Sequence, residues 1–152
     1  AYLKKELGEA ELKFLTTSGF KEVKEKSISG KHEVYLVIED KHESPSHIIC
    51  IKEISDYLKQ FTLDIKTYRS VKPDIVFDAN GEDYAIEVET GKINHLNQLK
   101  KKVANLKKYY GDNWCFFVTN RNLFKYYSRF GKVISKRTIK TKVDKVFKKS
   151  KK

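Results

Sequence analysis

The chain has 152 residues, the length of one ordinary domain, and at 39% hydrophobic and 12% aromatic it can bury a core. With 34% charged residues and no apolar run near eighteen, a membrane-spanning helix is excluded, and Cys50 and Cys115 are too few for a disulfide framework. The 32 basic residues outnumber the 20 acidic ones, and the excess is uneven. Residues 1–45 carry 8 basic and 9 acidic side chains, residues 46–120 carry 11 and 10, and residues 121–152 carry 13 and 1.

The first predicted element is a short amphipathic helix from Leu3 to Leu15, with apolar residues at 3, 7, 12 and 15 and Gly19 as a stop. Phe20–Glu25 and Glu33–Glu39 read as two strands around Ser29-Gly30-Lys31, a hairpin. Helix followed by hairpin matches the recognition-helix-plus-wing order of a partial winged helix, or simply flanks a main domain. Residues 40–46 form a polar linker and an expected boundary, with Ser46 as helix cap.

From His47 to Phe61 the residues Ile48, Ile51, Ile54, Leu58 and Phe61 form one helical stripe. Strands are expected at Leu63–Tyr68, Asp74–Asp78 and Asp83–Glu89, the last two joined by the tight turn Ala79-Asn80-Gly81-Glu82. Ile93, Leu96, Leu99, Val103 and Leu106 mark a long helix ending near Gly111. Trp114–Thr119 reads as a strand, Asn120 opens a helix to about Arg129, and Lys132–Ser135 is a last strand. The order predicts an α/β domain over 46–135, a mixed β-sheet flanked by helices. Residues 1–45 are then an appendage of helix and β-hairpin, and 136–152 a basic C-terminal tail.

The chemistry lies on the two central strands. Side chains alternate along a strand, so Glu87 and Glu89 share a face, and antiparallel pairing brings Asp74 to the same end. Apolar neighbours on both strands predict a partly dry site. Two carboxylates about 4 Å apart repel by about 4 kcal/mol at an effective dielectric of 20, so three need a proton or a cation. Either Mg²⁺ (or Mn²⁺) is held by Asp74, Glu87 and Glu89, or the cluster is a solvated strand end neutralised by lysines such as Lys72 and Lys92.

The strings Lys-Pro73-Asp74-Ile-Val-Phe and Glu87-Val-Glu89-Thr-Gly-Lys92 resemble the PD-(D/E)XK nuclease superfamily. They are most similar to its archaeal Holliday-junction-resolvase-like branch, and also to nuclease-like domains found with DNA-translocating ATPases of mobile elements. The resemblance spans about residues 47–130. It implies a restriction-endonuclease-like core of order α-β-β-β-α-β and Mg²⁺-dependent endonuclease activity on DNA, with Asp74 and Glu87 as the metal-binding acids. Glu89 occupies the place where the motif carries a lysine. It is then a metal ligand or a base, and the lysine's role passes to Lys92 or to the next helix. On that helix Gln98 is carried over as a site residue, and Glu53 matches an acid that resolvase-like enzymes supply from their first helix. The resemblance also implies a homodimer.

The basic residues expected against nucleic acid are Lys102, Arg121, Lys125, Arg129, Lys136 and Arg137, with the interleaved aromatics Tyr109, Tyr110, Phe124, Tyr126, Tyr127 and Phe130 divided between core and stacking. The alternative to an enzyme is a catalytically silent DNA-binding or adaptor module tied to a transfer ATPase. RNA binding explains the charge but leaves the three acids without a role. No basic-then-apolar leader opens the chain, and a cytoplasmic protein is expected.

Overall fold

In a computed structural model, residues 1–68, 73–91 and 95–149 are described. The N-terminal part is a three-stranded antiparallel sheet, β1 (Tyr2–Leu3), β2 (Lys21–Lys26) and β3 (His32–Val37), in the order β1-β3-β2. The hairpin β2–β3 forms as the sequence predicts. The first helix does not: α1 (Glu9–Thr17) starts six residues later. Leu3 is taken by pairing with Tyr35, and the Glu11 carboxylate accepts from the Gly8 amide at 3.2 Å to open the helix there.

Helix α2 (Pro45–Leu58) begins two residues ahead of the expected start. Ser44, not Ser46, accepts from the His47 amide at 3.2 Å, and Pro45 fills the first helical position, where no amide hydrogen is needed. Two sides of α2 are buried. Ile49 packs with Tyr35 and Val37 of the N-terminal sheet, while Cys50, Ile54 and Leu58 face the main sheet. Glu53 accepts from the Ile28 amide at 2.6 Å and from the Tyr35 hydroxyl, and Lys136 pairs with Glu25 at 3.3 Å. Residues 1–45 are therefore packed onto the rest of the chain.

The main sheet has five strands in the order β4-β5-β6-β7-β8: β4 (Ile65–Thr67), β5 (Ile75–Ala79), β6 (Glu82–Glu89), β7 (Trp114–Val118) and β8 (Val133–Ile134). The first three are antiparallel, and β6, β7 and β8 are parallel, so the expectation of a mixed sheet holds. Asn80 and Gly81 turn the β5–β6 hairpin with φ of 52° and 92°, a left-handed pair suited to a two-residue loop. Helix α3 (Leu96–Tyr110) makes the crossover from β6 to β7, and α4 (Arg121–Tyr127) links β7 to β8.

The alternation of each strand divides the core in two. Ile75, Phe77, Ile86, Val88, Cys115 and Phe117 pack against α2. Ala85, Trp114, Phe116 and Val118 pack against Leu99, Val103 and Leu106 of α3 and Leu123 and Tyr127 of α4. The segment expected as a basic tail is instead helix α5 (Ile139–Lys149) as far as the described residues run. Ile139, Val143, Val146 and Phe147 recur at helical spacing and are buried on the α2 side of the sheet. Both thiols are buried, and burial pushes Cys50 and Cys115 up to about 12, which keeps them protonated near neutral pH. Among the described residues no helix is long and apolar enough to cross a membrane.

Candidate metal centre

The register of the two central strands builds the site. Ile75 pairs with Ile86 and Val76 with Ala85, so continuing the ladder sets Asp74 level with Glu87. The Asp74 carboxylate accepts from the Val88 amide at 2.8 Å, which fixes it across the hairpin. Glu87 and Glu89 lie on the α3 side of β6. Lys102 of α3 reaches both, its Nζ lying 2.9 Å from Glu87 and 3.1 Å from Glu89. All three acids are buried, an uncommon state for carboxylates that requires compensation.

The first turn of α2 completes the surround. His47 Nε2 lies 3.4 Å from Asp74 Oδ2, and its Nδ1 lies 3.6 Å from Glu43 Oε1. These groups line an open, largely polar cavity of about 330 Å³, whose rim includes Ser44 and Thr90, themselves 3.2 Å apart. β6 and β7 run parallel with Glu89 opposite Val118, so Asn120 and the start of α4 leave the sheet at the same edge.

Four carboxylates thus meet one lysine and one histidine. Burial, then the charge of Asp74, raises the Glu87 carboxyl to about 7, against the opposing pull of Lys102. Burial works against the Lys102 ammonium, but Glu87 and Glu89 outweigh it and hold its pKa above the ordinary lysine value. Burial also lowers His47, and the hydrogen bond and charge of Asp74, with Glu43, reverse the balance and raise it. Glu87 and His47, both held above their ordinary values beside an open polar cavity, mark a site rich in negative charge. Its hard oxygen donors suit a divalent cation that keeps several waters. Asp74, Glu87 and Glu89 are the residues that would hold it.

The residues singled out from the sequence are distributed unevenly about this centre. Asp74, Glu87 and Glu89 come together. Lys102, expected against nucleic acid, lies between the two glutamates. Gln98 is exposed on α3 and does not line the cavity. Glu53 is turned to the N-terminal hairpin. Lys92 and Lys72 lie outside the described residues. Arg121, Lys125, Arg129 and Arg137 are exposed, with the Arg129 guanidinium 5.5 Å and 5.7 Å from the Tyr126 and Phe130 ring centres. Lys136 is half-buried on Glu25 and the Lys26 carbonyl. The sequence reading missed Glu43 and His47; their i, i+4 spacing at a helix start was the available signal. No family model, curated protein or solved structure matches the chain.

Proposed function

We propose that this chain is a divalent-cation-dependent DNA endonuclease with a restriction-endonuclease-like core. The observation that carries the reading is the convergence of buried Asp74, Glu87 and Glu89 with Lys102 at one open cavity. When bound, Mg²⁺ or Mn²⁺ lowers the pKa of a coordinated water and polarises the scissile phosphate. Asp74 is held by the Val88 amide, so its carboxylate is preset toward the cavity. Lys102 brings from the next helix the positive charge that the motif places on the strand, which answers the glutamate at position 89. It is positioned to hold the negative charge that develops on phosphate oxygens. The exposed Arg121, Lys125 and Arg129 on or beside α4, which starts at the same sheet edge, suit backbone contacts.

Cleavage of supercoiled plasmid and of a labelled four-way junction, with Mg²⁺ or Mn²⁺, tests this directly. Metal-dependent cutting that disappears in Glu87→Ala and Asp74→Ala is the expected outcome. In melting experiments the same ions raise the Tm of the wild type and not of the two variants.

One observation favours a second reading, a DNA-binding module without hydrolysis. Lys102 already lies within ion-pair distance of both Glu87 and Glu89, so part of their charge is compensated with no cation. DNA binding that is tight, indifferent to divalent ions and unaccompanied by cutting in wild type and variants alike selects that reading and rejects the enzyme.

A further inference from the structure

Between Glu89 and Asp144 the chain has 14 basic residues and one acid, Asp112. Much of this stretch is α3 and α4, which pack on one side of the sheet and contain no acid. Each follows one of two parallel strands, so both helices start at the sheet edge that holds the cavity and run back side by side. Helical phase sorts their side chains. Lys102 leaves the buried stripe of Leu99, Val103 and Leu106 on the flank toward β6, where its two glutamates lie. Leu96, Lys100 and Lys107 leave it on the opposite flank, toward α4, and all three are exposed. On α4, Tyr126 stands on the flank toward α3, and the Arg129 guanidinium lies within cation–π reach of Tyr126 and Phe130. The two neighbouring helices thus leave a basic valley between them that opens beside the cavity.

A face kept only for solubility mixes its charges, as α2 does by pairing Lys52 and Lys59 with Asp56. Lys107 and Lys108 in the last turn of α3 also suit the negative end of a helix, but Lys100 and Lys101 stand in its first half, where that reason fails. None of these four lysines, nor Arg129, forms an ion pair with an acid among the described residues. Charge of a single sign fits a polyanion. A duplex turns phosphates and sugars outward and keeps its bases stacked inside, whereas an arginine beside a tyrosine is a platform for an unpaired base. We infer that the valley between α3 and α4 binds single-stranded DNA, with Lys100 and Lys107 on its phosphates and a base against Arg129 and Tyr126. The inference rests on the DNA-binding part of the proposed function and names the substrate class: DNA with an unpaired strand leading away from the cavity edge along the two helices.

The test is binding of labelled oligothymidine, and of a duplex of equal length, to the full chain by fluorescence anisotropy in EDTA, so that cleavage plays no part. The wild type is expected to hold the single strand at least about fivefold more tightly than the duplex. Lys100→Gln combined with Lys107→Gln makes the logarithmic salt dependence for the single strand shallower by about 1.4, the contribution of two phosphates. Arg129→Lys keeps the charge but not the planar face, and is expected to lower single-strand affinity about fivefold or more while changing duplex affinity less than about twofold. All three positions are exposed, and an unchanged Tm is the control for folding. A duplex held as tightly as the single strand, or single-strand affinity and salt slope unchanged in both variants, overturns the inference. Tighter binding of oligouridine than of oligothymidine rejects DNA as the occupant. The enzyme reading fails separately: Arg129-dependent strand binding with no cleavage of any DNA rejects the nuclease and leaves the valley standing. Metal-dependent cleavage with single-strand binding indifferent to these variants does the reverse.

Discussion

Burial and the charge of Asp74 keep a proton on Glu87 up to about pH 7, whereas an unfolded chain releases it near 4.5. A carboxyl raised on folding contributes stability that is complete below its unfolded pKa and is lost as pH rises through the folded one. The window here is about pH 4.5 to 7, and the amount is of order 3 kcal/mol. His47, also raised, works in the same direction from its ordinary value near 6.5. Urea melts are therefore expected to show stability falling from pH 5 to pH 8, with Glu87→Gln flattening the fall and exceeding wild type at pH 8. An unchanged slope in that variant would contradict the assignment of the proton to Glu87. Lys102→Met removes the only lysine within ion-pair distance of the two glutamates among the described residues. Its loss of stability at pH 8 is expected near the low end of the roughly 3–5 kcal/mol of a broken buried pair, and smaller at pH 5. The three strand acids were legible because a period of two fixes which side chains share a face. The placement of Lys102 was legible only in part: it shares a flank with His95 and Gln98 beside the apolar stripe, but three successive lysines stand at 100–102 and the packing of α3 decides among them. Position 102 lies three after Leu99 and four before Leu106, at the edge of the buried stripe, while Lys100 and Lys101 are exposed.

At the scale of elements, most strands and helices of the central region fall close to their predicted bounds, since they have a clear period and several are bounded by a Gly, Asn or Pro, as at Pro45, Asn80-Gly81, Gly111 and Asn120. The failures have local causes. Leu3 fitted a helical stripe as well as a strand, and only its pairing with Tyr35 decides the matter. Helix α5 was hidden by lysines at 140, 142, 145 and 148, which dominate its composition while Ile139, Val143, Val146 and Phe147 are buried. Phe147 stacks on Phe61 at 4.9 Å and on Phe77 at 5.8 Å, so Phe147→Ala is expected to lower unfolding stability by about 3 kcal/mol or more in denaturant titration. A flexible tail would show no change. Gly131 supplies a second check, on the α4–β8 connection. A Cβ there would meet the Trp114 ring at 2.3 Å, and a rigid indole in a packed core has little room to give. Gly131→Ala is expected to destabilise by about 1–3 kcal/mol, measured the same way, with the Trp114 fluorescence altered in the folded state.

For the molecule as a whole, the concentration of 13 basic residues after position 120 was visible in the sequence, but its division was not. Lys136 pairs with Glu25, whereas Arg121, Lys125 and Arg129 lie exposed on or beside α4. If these three bind phosphates, replacing them with glutamine makes the logarithmic salt dependence of DNA affinity shallower by about 0.9 for each phosphate no longer neutralised, without changing sequence preference. An unaltered slope assigns the phosphate-binding role elsewhere. Helix α2 has a wider consequence. One side of it carries Ile49 and Glu53 into the N-terminal sheet, another carries Cys50, Ile54 and Leu58 into the main core, and its first turn delivers His47 to the cavity. It acts as a shared beam, so the polar stretch before it marks a change of architecture and not a place to cut. A shortened chain beginning at residue 46 would lose Glu43 and the Ser44 cap and bare one flank of that beam. A displacement of the three-stranded sheet would therefore be carried through α2 to the cavity wall that holds His47.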